Sequence, residues 1–572
     1  MTITHFNNNF NTAIVPFNNN FNTALDSNGA GNSSNQMELE TKTSMLTSSA
    51  HMSKKRKREK EPNTENKARK IAIKANNAIF HKFLEIPSDI KGVIYSHMAP
   101  LDQLIKLRGA SKEMRWIVNA QLMDMINKNK LSTQNLNIFN IDQLKAYFGD
   151  QCKDLIRLDL VGYFLNNNDV ETIANSFPHL KHLFIHKSSS QKVTNGAIKS
   201  LSKLTLLESF KFDGNFAKGQ NLTNFSFLKN YKHLNSFEIS NYPIDIDLTN
   251  LGCCTNLNTL TINSSKIKNY DFLDKLNLIT NVTFKNKRAE FTPINTNLLE
   301  KIKKFNLLHF HLSIDYNNSK IDYTSLAHHK NLETLEIVDP SLADWSIVDK
   351  FEHLKTLHIG PIQMNSCKFF QKEKQLTDLN ISFNDDTSDL SFLKNFKNLT
   401  HLQIHYKRSF SGLAISLEGL NKLRSLSISG DCTVTCIKDC ENLTNLNIQN
   451  AKIPQISFLE NLNNLEELTL NKCNTKNLSP LQHLKKLKTL VLIGSKDMDM
   501  EYLRNLKQLR KIHFEMVDFQ PKKNDPTLLT KLKYLRELNI TYTTLKNELD
   551  KAQFKNLHYT ARTLFPKDKK AQ

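Results

Sequence analysis

Histidine is the residue type in this sequence whose recurrence suggests chemistry most directly. Seven histidines fall at related places in a repeated phrase: His182, His186, His309, His311, His358, His401 and His405. Neutral imidazoles bind metal ions and change charge near neutral pH. The first hypothesis is therefore a metal-binding or pH-sensitive patch, and the second is an ordinary polar contact surface. We favour the second and predict no metal site, because His401 and His405 lack a third ligand unless a neighbouring repeat supplies it.

Cysteine offers a weaker metal signal. The eight cysteines are scattered, and only Cys432, Cys436 and Cys440 cluster, at a C-x3-C-x3-C spacing. Structural zinc sites combine one close ligand pair with a second pair, and no second pair follows here. The pattern favours free, buried thiols in a reducing compartment.

Motifs of catalysis and cofactor binding do not occur in this sequence. It has no phosphate-binding glycine loop, nucleophile elbow, H-E-x-x-H helix or catalytic cysteine–histidine context, and glycine is scarce at 15 of 572 residues. We therefore predict no catalytic residues, no cofactor and no enzymatic activity.

The residues above are positioned by one recurring phrase, Leu-x-x-Leu-x-Leu/Ile. Clear copies begin at Leu155, 180, 257, 332, 354, 376, 399, 423, 443, 465, 487 and 535, and weaker copies begin at 207, 234, 279, 307 and 509. The commonest interval between successive copies is 22 residues, and several early intervals are 25 to 28 residues. This is the leucine-rich-repeat signature. It predicts an α/β solenoid of about seventeen repeats over residues 131–560: a curved parallel sheet with short convex 3₁₀ or α segments.

The strand pattern also predicts which side chains meet a partner. Leucines point inward and the residues between them outward, so the residue after the second leucine should line the concave face. We predict that a target protein contacts a subset of this column: Phe184, His311, Glu336, His358, Gln403, Asn447 and Val491. Thr489, Val491 and Ile493 form an outward apolar triplet, a candidate anchor.

Net charge raises nucleic acid as a partner, at +21 with a pI near 9.4. A phosphate-binding face should carry a basic stripe, yet only Lys211 is basic in the predicted concave column. Lysines such as Lys394, Lys397, Lys485, Lys486 and Lys488 are predicted on the convex side. Nucleic acid is thus an unlikely ligand of the solenoid, and a neutral-polar face favours protein recognition.

The first 78 residues are predicted to be a disordered tail, since the duplicated FNNNFNTA and the Ser/Thr/Asn-rich stretch that follows bury too little apolar surface. The basic cluster is Lys54, Lys55, Arg56, Lys57 and Arg58. It is a nuclear-import or nucleic-acid-binding candidate, or a solvated charge run. No secretory signal or membrane span is apparent, so we expect an intracellular protein of the cytoplasm, the nucleus or both. Residues 561–572 form a second basic tail.

A small helical module is predicted at residues 80–130, with three short helices. The residues Ile86-Pro87, Asp89-Ile90, Val93-Ile94-Tyr95, Leu101-Asp102-Gln103-Leu104, Leu107-Arg108 and Ala110-Ser111-Lys112 resemble the F-box pattern. Ile86, Tyr95, Ala110 and Met114 depart from it in residue type. The resemblance implies docking to the Skp-type adaptor of a cullin-RING ubiquitin ligase through a contact surface that would include Ile86, Pro87, Ile90, Ile94, Tyr95, Leu101 and Leu104.

An F-box-like module followed by leucine-rich repeats resembles the F-box/LRR substrate receptors, which implies that the concave face holds a protein for ubiquitination. Two alternatives remain. The front helices could merely cap the solenoid of a pure interaction scaffold, or the protein could be nuclear and act on nucleic acid through its basic tail. The Asn-, Lys- and Ile-rich composition is similar to that of large DNA viruses of amoebae or A+T-rich protists.

Overall fold

The computed structural model describes most of the repeat region and the helix before it. The described residues are 105, 108–109, 112–541 and 558–560, without 162, 164, 187–192, 214–223, 242–245, 264, 266, 287–295, 315–320, 340–341, 343–344, 363–374, 384–389, 407–409, 418, 474, 476, 497, 520–524 and 526. The predicted tails, the basic cluster Lys54 to Arg58 and all seven predicted adaptor contacts, from Ile86 to Leu104, lie outside them.

The first long helix packs against the start of the repeats. α1, Lys112–Asn127, buries Met114, Val118, Leu122 and Ile126, which follow one another at the four-residue spacing of a single helix face. It contacts the first strand and the 3₁₀ turn Gly149–Asp154. α2, Ile141–Phe148, follows it.

One long parallel sheet of 18 strands forms the body of the protein. Its strands are β1 Arg157–Asp159, β2 His182–Ile185, β3 Ser209–Asp213, β4 Ser236–Ser240, β5 Thr259–Asn263, β6 Asn281–Asn286, β7 His309–Ile314, β8 Thr334–Val338, β9 Thr356–Ile362, β10 Asp378–Phe383, β11 His401–Tyr406, β13 Ser425–Ser429, β15 Asn445–Gln449, β16 Glu467–Asn471, β17 Thr489–Ile493, β18 Lys511–Glu515, β19 Glu537–Thr541 and β20 His558–Thr560. All seventeen phrases form a strand, and β20 is an additional strand without the phrase.

The strands follow one another in chain order, each hydrogen-bonded in parallel to the next. Residues alternate between buried and solvent-facing along them, as in Thr334–Val338. The leucine positions are fully buried, including Leu335, Leu357 and Leu426. Identical phrases therefore stack into one continuous apolar core, because each repeat covers the open side of its neighbour.

The outer half of each repeat depends on its length. Units near 22 residues carry 3₁₀ turns such as Ser391–Asn395, Ser457–Asn461 and Ser479–His483. Outer α-helices occur in the longer units: α3 Asn167–Ser176, α4 Asn195–Lys199, α5 Thr296–Ile302 and α6 Thr527–Thr530. The fold is a leucine-rich-repeat solenoid, and the predicted fold class is confirmed.

Two neighbouring repeats depart from the predicted outer turns. Their outer halves contain β12, Phe410–Ser416, and β14, Cys432–Lys438, which pair in parallel as a second, two-stranded sheet. Gly430 turns the chain between β13 and β14 at φ 115°. A Cβ there would lie 2.0 Å from the Tyr406 carbonyl oxygen, so only glycine fits. None of the described helices is long and apolar enough to cross a membrane.

Candidate binding surface on the open side of the sheet

The open face is the side of the long sheet whose side chains alternate with the buried leucines. Its central column holds the residue after the second leucine of every repeat, and these residues pair strand by strand in register. The column runs Asp159, Phe184, Lys211, Glu238, Thr261, Thr283, His311, Glu336, His358, Asn380, Gln403, Ser427, Asn447, Thr469, Val491, His513 and Asn539. None of these is buried.

The predicted target contacts are thus brought into one line. Whether they bind a target stays a prediction. Two further columns of open-face residues flank the central column, and the sequence prediction did not include them. One contains His309, Asp378 and His401, and the other contains His405 and Ile493. The same two-residue alternation along each strand identifies them.

Acidic residues outnumber basic ones on the open face of β1 to β19, although the chain as a whole carries 77 basic and 56 acidic residues. The open-face carboxylates are Asp159, Asp213, Glu238, Glu336, Asp378, Glu467, Glu515 and Glu537, and the basic side chains are Arg157, Lys211, Lys285 and Lys511. The basic excess of the chain therefore lies elsewhere, and this face attracts cations rather than phosphates.

Five neighbouring open-face residues form what we call the acid–histidine belt: His311 on β7, Glu336 on β8, His358 on β9, Asp378 on β10 and His401 on β11. The Nδ1 atom of His311 contacts Glu336 Oε2, and Nδ1 of His358 lies 3.9 Å from the same oxygen. His401 Nδ1 lies 3.1 Å from Asp378 Oδ1. Each belt carboxylate is thus held by imidazole from an adjacent strand.

The belt geometry changes the protonation of its members. Burial alone would raise the pKa of Glu336, but hydrogen bonds and charge from His311 and His358 outweigh it and lower the pKa to about 2. The hydrogen bond from His401 lowers the pKa of Asp378, and the same bond raises the pKa of His401. Both carboxylates are therefore ionised at physiological pH.

The same pairing recurs near both ends of the sheet. His186 Nε2 lies 3.0 Å from Asp159 Oδ1, and His513 Nε2 lies 3.4 Å from Glu515 Oε2. Four of the eight open-face carboxylates are thus partnered by histidine. Four of the seven histidines that the sequence suggested as a patch lie against carboxylates, which the phrase alone did not reveal: His186, His311, His358 and His401.

The rim is the row of residues that directly precede the strands, and its carboxylates pair with lysine instead. Lys181–Glu208, Lys355–Glu333 and Lys488–Glu466 lie within 2.6 to 2.9 Å. A groove of about 740 Å³ follows the rim past Glu333, Lys355, Thr377 and Thr400. Lys488 therefore departs from its predicted convex position, since it directly precedes β17.

Apolar contact points on the open face are few. Val491 and Ile493 are half-buried and solvent-facing on β17, as the sequence predicted. Phe184 is also half-buried, and the Arg157 guanidinium carbon lies 4.5 Å from its ring centroid.

No group of three metal-ligating side chains occurs among the residues that the structure describes. Cys152, Cys254, Cys432, Cys440 and Cys473 are free and buried, and Cys253 is partly exposed. Burial raises the pKa of Cys254 to about 12 and that of Cys473 to about 11. These two are therefore neutral thiols at physiological pH, unsuited to nucleophilic attack. Cys367 and the Cys436 side chain lie outside the described residues.

Comparison with known proteins finds likeness in structure only. No protein-family model and no curated protein matches the chain. An internalin of Listeria monocytogenes is 18% identical with a TM-score of 0.32, over 65% of this chain and 88% of that one. An LRR protein of Leptospira interrogans is 14% identical with a TM-score of 0.42, over 68% and 97%. The plant peptide hormone receptor RGFR1, in complex with RGF2, is 14% identical with a TM-score of 0.34, over 65% and 72%. No ligand or function is carried over.

Proposed function

We propose that this protein is a non-enzymatic recognition adaptor whose open face binds a target protein. The supporting observation is the central column, in which seventeen in-register positions remain at least partly accessible along one side of a continuous sheet. Such a face offers polar groups, carboxylates and isolated apolar anchors, a mixture suited to a polypeptide.

The adaptor half of the proposal rests on the F-box resemblance of residues 86–118. In it, Ile86, Pro87, Ile90, Ile94, Tyr95, Leu101 and Leu104 contact a Skp-type adaptor, and the open face presents the target for ubiquitination. The proposed domains are a tail over 1–78, the module over 80–130, the solenoid over 131–560 and a basic tail over 561–572.

Co-purification with a Skp-type adaptor tests this half. The wild-type chain is expected to retain the adaptor, and the triple variant Pro87→Ala, Ile90→Ala, Tyr95→Ala to lose it, because the variant removes apolar contact area. A matched control is Gln403→Ala with Asn447→Ala, which alters the open face and should leave adaptor binding intact. If neither wild type nor triple variant binds the adaptor, the ligase assignment is wrong.

A second candidate is a pure interaction scaffold whose front helices only cap the solenoid. The packing of α1 favours it, since Met114, Val118 and Leu122 are fully buried where α1 meets the first strand. If this candidate is correct, Met114→Asp should lower the temperature at which the first repeats unfold. The wild-type chain should also retain no adaptor. The third alternative, a nuclear role of the basic tail, predicts that deleting residues 53–74 abolishes nuclear accumulation.

A further inference from the structure

The acid–histidine belt is the part of the open face with the most defined hydrogen-bonding capacity. Both histidines on Glu336 approach Oε2, so Oε1 has no partner among the described residues. The Nε2 atom of His311 is buried and likewise lacks a hydrogen-bond partner.

The Glu336 carboxylate oxygen that no histidine approaches fits a cationic N–H donor. Guanidinium and ammonium groups carry several donors and no acceptor, and hydrogen bonds between such cations and carboxylates are shorter and stronger than neutral ones. The acidic excess of the open face supports the same class of ligand. An acidic peptide or a phosphate would meet the like charge of Glu336 and Asp378.

Building on the proposed target-binding role of this face, we propose that β7 to β11 bind a basic polypeptide segment of the target through Glu336 and Asp378, and that protonation of His401 beside Asp378 weakens this binding. Histidine changes charge between about pH 5 and 8. At neutral pH the carboxylates accept arginine or lysine from the partner. In acid, the imidazolium group of His401 neutralises Asp378 and repels the incoming cation.

Other charged groups face the belt from the surrounding strands and rim, and they set its background potential. They are Lys285, His309, Glu333, Lys355, His405 and Arg424. Glu333 and Lys355 neutralise each other at 2.9 Å. Screening limits these effects to about 8–10 Å at physiological salt, so the belt residues dominate at their own positions.

Fluorescence anisotropy with the full-length chain tests the proposal. The probe is a ten-residue peptide of alternating arginine and serine, and its controls replace arginine by glutamine or by glutamate. At fixed ionic strength we expect binding of the arginine peptide alone, with a Kd about tenfold higher at pH 5.5 than at pH 7.5, within the usual range of coupling between two binding events. Equal affinity at both pH values, or preference for the glutamate peptide, would overturn the proposal.

Variants assign the effect to the belt. Glu336→Gln with Asp378→Asn should abolish binding at pH 7.5, whereas the matched control Glu467→Gln, an open-face carboxylate bonded to Asn445, should leave it intact. His401→Gln should keep binding at both pH values and reduce the pH effect to less than about threefold, since glutamine does not titrate. Circular dichroism confirms that each variant is folded. An unchanged pH effect in the histidine variant contradicts the proposal.

Failure of this inference and failure of the proposed function give different results. If open-face variants lose a cross-linked cellular target while the arginine peptide never binds, the face recognises proteins but the basic-segment assignment is wrong. If adaptor co-purification fails while the peptide binds with the stated pH dependence, the belt binds a basic segment but the ligase role is wrong.

Discussion

The rim and the open face of the same sheet use their carboxylates in opposite ways. At the rim, Glu208, Glu333 and Glu466 each pair with a lysine from an adjacent repeat. On the open face, four carboxylates that lie within the strands pair with histidine instead: Asp159, Glu336, Asp378 and Glu515. All of these pairs except His513–Glu515, which lies within β18, join neighbouring repeats. Lysine is charged at all physiological pH values and histidine is not.

The contrast indicates that the rim has a structural role and that the open face responds to pH. Rim pairs keep a constant charge between pH 5 and 8, and exposed pairs of this kind stabilise a fold by about 0.2–1 kcal/mol each. The open-face pair His401–Asp378 alters its net charge as His401 titrates, because histidine changes charge near neutral pH. The pH sensitivity of the solenoid should therefore appear in binding at the open face and hardly at all in the rim.

The largest expected effect comes from reversing one charge in each region. Glu336→Lys should weaken binding of the arginine peptide at pH 7.5 by about 100-fold or more, because a lysine then opposes the incoming cation at a desolvated position. Glu466→Lys at the rim is the matched control and should change the Kd less than about threefold. A comparable loss in both variants, measured by anisotropy, would erase the distinction between the two regions.

A smaller effect concerns stability and pH. The raised pKa of His401 means that its pair with Asp378 stabilises the fold below the ordinary histidine pKa and that this is lost as pH rises through the folded-state value. The lowered pKa of Asp378 keeps its contribution until pH falls below about 4. Asp378→Asn should therefore cost most near pH 5, about 0.5 kcal/mol because both side chains are well exposed, and less at pH 8. Urea unfolding at the two pH values measures this; a larger cost at pH 8 contradicts the sign.

The smallest effect belongs to the rim itself. Glu466→Gln should lower the free energy of unfolding by no more than about 0.5 kcal/mol, equally at pH 5 and pH 8, since lysine and carboxylate side chains in general keep their charge between those values. The loss should shrink further at 1 M salt, where the Debye length is about 3 Å. Thermal unfolding at both salt concentrations provides the readout, and a clear pH dependence would place a titrating group at the rim.

The sequence predicts the strands and their register well because the phrase repeats. Inward residues such as Leu335 and Leu357 are buried only when their side chains face the core. Stacking of identical phrases then sets the register between neighbouring strands. The central column then follows from alternation alone. Gly430, by contrast, is recognisable only once the Tyr406 carbonyl is seen against it.

Other features depend on contacts between repeats, which no single phrase encodes. The pairing of His311 and His358 with Glu336 needs the side-chain orientations of three strands. β12 and β14 pair with each other across two repeats, and neither repeat alone encodes that contact. The position of Lys488 follows from the exact start of β17, and strand boundaries are the least predictable part of a sequence assignment.

Carboxylate footprinting tests most directly whether the open face, rather than the rim, receives a basic partner. Glu336, Asp378 and Glu466 are modified with carbodiimide and a small amine at pH 7.5, with and without the arginine peptide, and quantified by mass spectrometry. We predict that the peptide protects Glu336 and Asp378 and leaves Glu466 unchanged. Protection of Glu466 with no change at the two belt carboxylates would contradict the account.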